Sequence, residues 1–530
     1  MNNLFFRNEP FVDFSEHKSR NALSEALERV EGLRVAGALV AFPIIHGERQ
    51  KSSHAEWRED PSSTSQRLGV IHYASRELVD EALSSLIDGQ PSWEATPVTR
   101  RAEILQRAAT LMHERKYDLS ALIIREVGKP WREADADVAE AIDFCRYYAE
   151  RSSLFDSPIP TSDIPGEENM LVYRPRGIVA VIAPWNFPLA IACGMTVAAL
   201  VTGNATVLKP AEQSSLVGFA LAEILLEAGI PRDAFAFLPG KGEDVGRSLV
   251  EDSRVDMICF TGSRLVGQQI IAAASKSYPN QRTIKRVVAE LGGKNAIIVD
   301  DDADQDEAIR GILTSAFGFA GQKCSACSRL IVVGRQYRSF IERLVEAAAD
   351  LIVGRSAEPS TVVGPVVDNE AYHRISETIE QARAQCHVES APRELPDGYF
   401  ISPTVIVDPP RSSTLWTEEI FGPVLCTTSA TTFDEALRIA LDSPYALTGG
   451  VYSRNPKHLE LARQRFTVGN LYLNRPITGA LVARQPFGGS RMSGIGSKAG
   501  GPDYLLQFVE PRAITENTSR RGFVPEIASE

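Results

Sequence analysis

The chain has 530 residues, 44% of them hydrophobic and 23% charged, with a net charge of -12. Such a chain has room for a sizeable core and several domains. Its acidic balance argues against general nucleic-acid binding, and no run of about 18 apolar residues marks a membrane span. The amino terminus lacks the apolar stretch of a signal peptide, and its early Glu9 and Asp13 are unlike a transit peptide. The 7 cysteines are scattered and odd in number, so no disulfide framework is read and a reducing, cytoplasmic setting is expected.

In chain order, residues 1 to about 60 read as polar and irregular, with helical patterning around Ala22 to Gly32, and residues 61–65 read as a turn. Helical periodicity runs from about Ser75 to Asp88, from Pro97 to Glu126 and from Trp131 to Arg151. Residues 156–168, rich in Pro, Asp and Ser, read as an extended excursion. Short apolar runs then appear at Gly177–Ile182, Ala205–Leu208, Ala234–Leu238 and Met257–Phe260, with helical stretches between them. That alternation predicts a parallel, doubly wound sheet. It resumes with a strand at Ala296–Val299, a helix over Asp304–Phe319 and a strand at Arg329–Val333, so a second α/β domain is expected. Residues 507–515 read as an exposed strand, in which Pro511 suits an edge.

Three side chains carry the chemistry. Cys324 lies in a Gly-Gln-Lys-Cys loop between a helix and a strand, Glu290 closes the apparent strand at 287–289, and Asn186 is held between Pro184 and Pro188. A thiol nucleophile, a carboxylate base and an amide oxyanion donor are the parts of a covalent acyl-transfer reaction. Cys324 and Cys327 form Cys-x-x-Cys, but no second Cys or His pair completes a zinc set, and a strand rather than a helix follows. No metal is therefore expected, and Cys327 is read as structural. Taken singly, Glu290 also reads as a surface carboxylate and Asn186 as a turn residue.

Further residues suit a dinucleotide. Lys209 and Glu212 follow the strand at 205–208, where they can bond ribose hydroxyls; the carboxylate would repel a 2′-phosphate and favours NAD over NADP. Gly262 supplies a turn after a strand, and Ser263 opens a helix whose N-terminus can hold a pyrophosphate. Glu419 would hold the nicotinamide ribose with Phe421 packed on it; Lys209, Glu212 and the acidic turn at 418–419 also read as ordinary surface charge.

Together these motifs resemble the aldehyde dehydrogenase superfamily over roughly residues 65 to 515. The resemblance implies an α/β fold with a Rossmann-like NAD-binding domain (1–155, 173–292 and 493–502), an α/β catalytic domain (293–492) and a small β oligomerisation element (156–172 and 503–522). It also implies the roles given above, with Ile182, Pro184 and Trp185 completing the NAD-binding set. The stretches at 317–329, 474–480, 484–489 and 497–504 are similar to the branch of that superfamily that oxidises L-glutamate γ-semialdehyde in proline catabolism. In that branch the backbone of Gly479 and Ala480, with the Ser325 hydroxyl, binds the substrate's α-carboxylate, and a turn of main-chain N–H groups is a sound anion nest. Phe187 and Phe487 would flank the aliphatic chain, and Glu140 would line the site. Leu265 and Ala320 depart from the residues frequent at their positions.

The expectation is thus an NAD-dependent enzyme acting on a small aldehyde, with no nucleic-acid or membrane partner and a homodimer or higher homo-oligomer as its assembly. The alternatives are another aldehyde, such as succinate semialdehyde or an aliphatic one, or a catalytically silent protein on the same fold. The intact Cys324, Glu290 and Asn186 set disfavours the latter. A CoA-acylating relative has no need of a base at Glu290.

Overall fold

The computed structural model describes residues 6–390 and 394–519. The first five residues, and residues 520–522 of the expected oligomerisation element, lie outside the described residues.

The helix expected over Trp131–Arg151 spans those residues, and its buried face includes Ala134, Val138, Ala141 and Ile142, the three-to-four spacing of an amphipathic helix. The stretch from Pro97 to Glu126 forms two helices, Val98–Glu114 and Lys116–Val127, meeting at Arg115. The helix expected to end at Asp88 runs over Arg76–Ala95, through Gly89 and Pro91. Gly89 marks a close approach rather than a stop: a Cβ there would lie 2.1 Å from the Asp233 carbonyl oxygen.

Strand-forming runs build two large sheets, of 8 and 7 strands, and three smaller ones among the described residues. In the first, parallel strands lie in the order Arg286–Glu290, Met257–Thr261, Ile178–Ile182, Ala205–Lys209, Phe235–Phe237. The chain starts in the middle and winds both ways, which leaves a crevice beside Ile182 and Thr261 where the direction reverses. Residues expected to be irregular extend this sheet: the short strands Ile44–Ile45 and Glu48–Arg49 add to its far edge. The second sheet is parallel through Thr404–Val407, Val424–Ala430, Cys327–Val333, Asn295–Val299, Thr448–Tyr452 and Asn470–Leu473, with His387–Ser390 antiparallel at one edge. The chain passes from one sheet to the other between Glu290 and Asn295, so the carboxyl ends of the first face the start of the second.

The extended excursion is a hairpin, Ile159–Ile164 with Glu167–Pro175, and Val509–Asn517 joins it antiparallel, with Pro511 opposite Tyr173 on the outer strand. Among the described residues, no helix is long and apolar enough to cross a membrane.

Candidate active site

The facing sheet ends enclose a cavity of about 640 Å³, and every site residue expected from the sequence lines it. Cys324 reaches it through a strained turn. The helix Gln305–Phe317 stops two residues short of the expected end, and Phe319, Ala320 and Gly321 then all adopt positive φ, at 51°, 53° and 68°. Non-glycine residues hold such angles only where their surroundings over-determine them. Here Phe319 and Ala320 are buried. Gln322 donates to the carbonyls of Phe319 at 3.3 Å and Pro365 at 3.2 Å, and its own oxygen accepts from Val367 N at 2.9 Å. A Cβ at Gly321 would lie 2.2 Å from the Gly422 carbonyl oxygen.

From the other side, Asn295 Nδ2 donates to the carbonyls of Cys324 at 2.7 Å and Ala326 at 2.9 Å. The nucleophile loop is thus fixed at both ends. Burial pushes the Cys324 thiol up, the carboxylates of Glu290 and Glu419 add to this, and the Ser325 N–H opposes it, so the resting thiol keeps its proton. Cys327 is buried, opens the next strand and donates its S–H to the Arg329 carbonyl at 3.4 Å.

Glu290 is the last residue of its strand. Burial pushes its carboxyl up to about 8, opposed by the charge of Lys498. Lys498 Nζ is anchored beside it by the carbonyls of Gly488 at 2.6 Å and Gly469 at 2.7 Å and by Asn470 Oδ1 at 3.2 Å. A carboxyl poised near the working pH is suited to move protons both ways.

Asn186 is 5% exposed and donates through Nδ2 to the Gln322 carbonyl at 3.0 Å. An amide nitrogen carries two hydrogens, so the bond orients the group and leaves one hydrogen for an oxyanion in the cavity.

The dinucleotide end forms at the sheet's switch point. Ile182, Pro184 and Trp185 lie at one strand end and Lys209 at the next, with Lys209 Nζ 3.3 Å from Glu212 Oε1. Ser263 caps the helix Arg264–Ala274, its hydroxyl accepting from Val266 N at 3.3 Å. Gly262 makes the bend between the strand Met257–Thr261 and that helix without a positive φ; a Cβ there would lie 2.5 Å from the Phe260 ring, so the close approach is what excludes a side chain. Glu419 Oε1 accepts from Gly293 N at 3.0 Å, and burial pushes its carboxyl up to about 7. Phe421 meets Trp185 edge-on at 5.6 Å. The carboxylate of Glu212, partnered by a buried lysine and set beside a capped helix start, fits a dinucleotide bearing a free ribose 2′-hydroxyl.

Gly479, also on the cavity wall, has a left-handed φ of 75° with nothing within 4 Å of the position its Cβ would take. Ala480, Ser325, Phe187 and Phe487 line the same cavity, and burial together with Asp137 pushes the Glu140 carboxyl up to about 8.

Several residues that shape the site escaped the sequence. Asn295 and Gln322 fall within motifs that drew notice for their neighbours. So does Lys498, in the stretch at 497–504, whereas Lys129 and Phe11 gave no signal, because their partners are distant in the chain.

The class such a site defines is an oxidoreductase that works through a covalent adduct on cysteine. The chain belongs to the aldehyde dehydrogenase family, whose model matches residues 49–514. It is 45% identical over 513 residues to a 1-pyrroline-5-carboxylate dehydrogenase of Geobacillus sp. (strain WCH70), covering 96% of this chain and 99% of that one. Among solved structures, 1-pyrroline-5-carboxylate dehydrogenase from Thermus with bound NAD superposes with a TM-score of 0.94 at 44% identity, covering 98% of this chain and 100% of that one. Proline utilization A from Bdellovibrio bacteriovorus superposes with a TM-score of 0.95 at 44% identity; the match covers 98% of this chain and 54% of that longer one.

Proposed function

We propose that this chain oxidises L-glutamate γ-semialdehyde, the open form of 1-pyrroline-5-carboxylate, to L-glutamate with NAD. The observation that carries the substrate reading is the left-handed turn at Gly479, which with Ala480 and Ser325 lines the same cavity as Cys324. It supports an anion nest for the α-carboxylate, at the end of the cavity away from the dinucleotide residues.

The Cys324 sulfur attacks the aldehyde carbon as its proton is released to solvent water. The oxyanion is held by the Asn186 amide hydrogen and the Cys324 N–H. When bound at Lys209, Glu212, Ser263 and Glu419, the nicotinamide cofactor accepts the hydride. A thioester on Cys324 remains. Glu290 then takes a proton from water as the water oxygen attacks the thioester carbon, and passes it to the Cys324 sulfur as that sulfur leaves and the acid is released.

The three-stranded sheet built from 159–164, 167–175 and 509–517 is largely exposed, which supports a role in homo-oligomer assembly within the domain division expected above. The unpaired state of all the cysteines supports a reducing, cytoplasmic setting.

The test is NADH formation with L-glutamate γ-semialdehyde, succinate semialdehyde and propanal. A preference of about a hundredfold in kcat/KM for the first is expected, roughly 3 kcal/mol of contact with the amino-acid end. Equal rates would leave the chemistry standing and overturn the substrate.

A further inference from the structure

The residues before the first helix are laid along the helix Trp131–Arg151 in the opposite direction. Phe6 meets Tyr147 edge-on at 5.3 Å, Asn8 Nδ2 and Glu9 N donate to Asp143 at 2.8 and 2.7 Å, Val12 N donates to Asp135 at 2.8 Å, and Phe14 meets Trp131 at 5.3 Å. From Tyr147 back to Trp131 the helix rises roughly 24 Å. From Phe6 to Phe14 an extended chain covers about 26 Å. The lengths match, so the segment is a taut strap.

Its centre is bolted down. The Glu9 side chain is 3% exposed, with Arg146 Nη1 at 2.7 Å, His113 Nδ1 at 2.8 Å and Lys116 Nζ at 3.8 Å. Lys116 Nζ also donates to the Pro10 carbonyl at 2.8 Å. Burial alone would raise the Glu9 carboxyl, but Arg146 and His113 bring it below its ordinary value, so it stays ionised.

The fixed strap reaches the substrate end on two sides. Phe11 is 55% exposed, yet it lines the cavity beside Glu133, Ala136 and Glu140 of the same helix. Asn8 Nδ2 also donates at 2.9 Å to the carbonyl of Val482, just beyond Gly479 and Ala480. The next residue, Ala483, is tied by its N–H to the Gly500 carbonyl at 2.9 Å. The loop that presents the anion nest therefore has two adjacent tethers, one of them from the strap.

We propose that the strap is part of the substrate site: Phe11 walls its mouth, and Asn8 is a positioning residue that holds the 479–482 loop for the substrate's carboxylate. This rests on the substrate reading above. It gives the amino-terminal segment a role in specificity, although no residue of the strap meets the reacting carbon.

The test compares Asn8→Ala and Phe11→Ala in the full chain, each assayed with L-glutamate γ-semialdehyde and with propanal, which has no carboxylate. For Asn8→Ala, KM for the semialdehyde should rise about tenfold with kcat within twofold, while KM for propanal changes less than twofold. Phe11→Ala, at an exposed position that folding tolerates, should raise KM for the semialdehyde at least threefold and spare propanal. Proportional losses on both substrates, or no change on either in both variants, would overturn the proposal. A wild-type protein without preference between the two aldehydes would instead overturn the substrate reading, and the strap's role with it.

Discussion

Lys129 Nζ lies 3.8 Å from the centroid of the Phe187 ring, so an ammonium backs the aromatic wall of the substrate cavity. The Lys129 side chain is fully buried, and its charge is met by Asp137 Oδ2 at 2.8 Å. Asp137 Oδ1 in turn accepts from Ala190 N at 2.7 Å, the first residue of the helix that follows Asn186 and Phe187. One ion pair thus grips the loop that carries Asn186 through a ring and through a helix start, a cation–π contact at one point and a charged acceptor at the other.

Lys129→Met should therefore destabilise by about 3–5 kcal/mol, because it leaves the Asp137 carboxylate buried and unpaired. The double variant Lys129→Met/Asp137→Asn should lose less, since the neutral amide can still accept from Ala190 N. Thermal melting of the three proteins checks the order; a double variant melting below the single one would contradict it.

The Glu290 carboxyl, raised to about 8 by burial, gives a pH dependence of definite sign. Water activation needs the carboxylate, and the carboxylate is gained as pH rises through that value. Hydrolysis of the acyl-enzyme should increase about tenfold per unit below it and level off above it. Stopped-flow deacylation between pH 6 and 9.5 checks this, and a rate that falls with rising pH would contradict it.

Gly488 is a second handle on the same base. A Cβ there would lie 2.6 Å from Glu290 Oε1 and 3.5 Å from Lys498 Cα. Gly488 has no positive φ, and the atom in the way is the far end of a flexible side chain. Gly488→Ala should melt near wild type while slowing deacylation by about tenfold or more, the pattern of a displaced base. Unchanged deacylation would mean that Glu290 has other productive positions.

Much of this site was legible because its strands and helices are long enough to show a period and its reacting groups sit in compact motifs. Cys324, Glu290 and Asn186 each stand at the end of an element, where an apolar run stops and a polar side chain interrupts it. The rest depends on tertiary approach. Lys129 reads as an ordinary lysine until the fold buries it, and Lys498 until three acceptors gather round its Nζ. Ile44–Ile45 and Glu48–Arg49 are too short to alternate, so the sheet edge they form was invisible. Gly262 read as a turn residue and does make the bend, but the Phe260 ring that leaves no room for a side chain there was not legible.

On the cavity wall, Glu212 is half-exposed and held 3.3 Å from Lys209 Nζ, and under the proposed reading its charge would meet the ribose of the dinucleotide. Glu212→Gln should reduce the preference for NAD over NADP by about tenfold, equivalent to about 1.4 kcal/mol, through loss of repulsion toward a 2′-phosphate. Paired kcat/KM values for the two cofactors check this; an unchanged ratio would assign discrimination to other groups.

The central claim is that Cys324 carries the acyl group and Glu290 removes it. The most direct measurement is pre-steady-state NADH formation by Glu290→Gln with L-glutamate γ-semialdehyde. A burst of one NADH per subunit, steady turnover at about 1% of wild type or less, and an acyl mass trapped on the Cys324 peptide are the predicted result. Steady turnover near the wild-type rate with no burst and no adduct on Cys324 would contradict it.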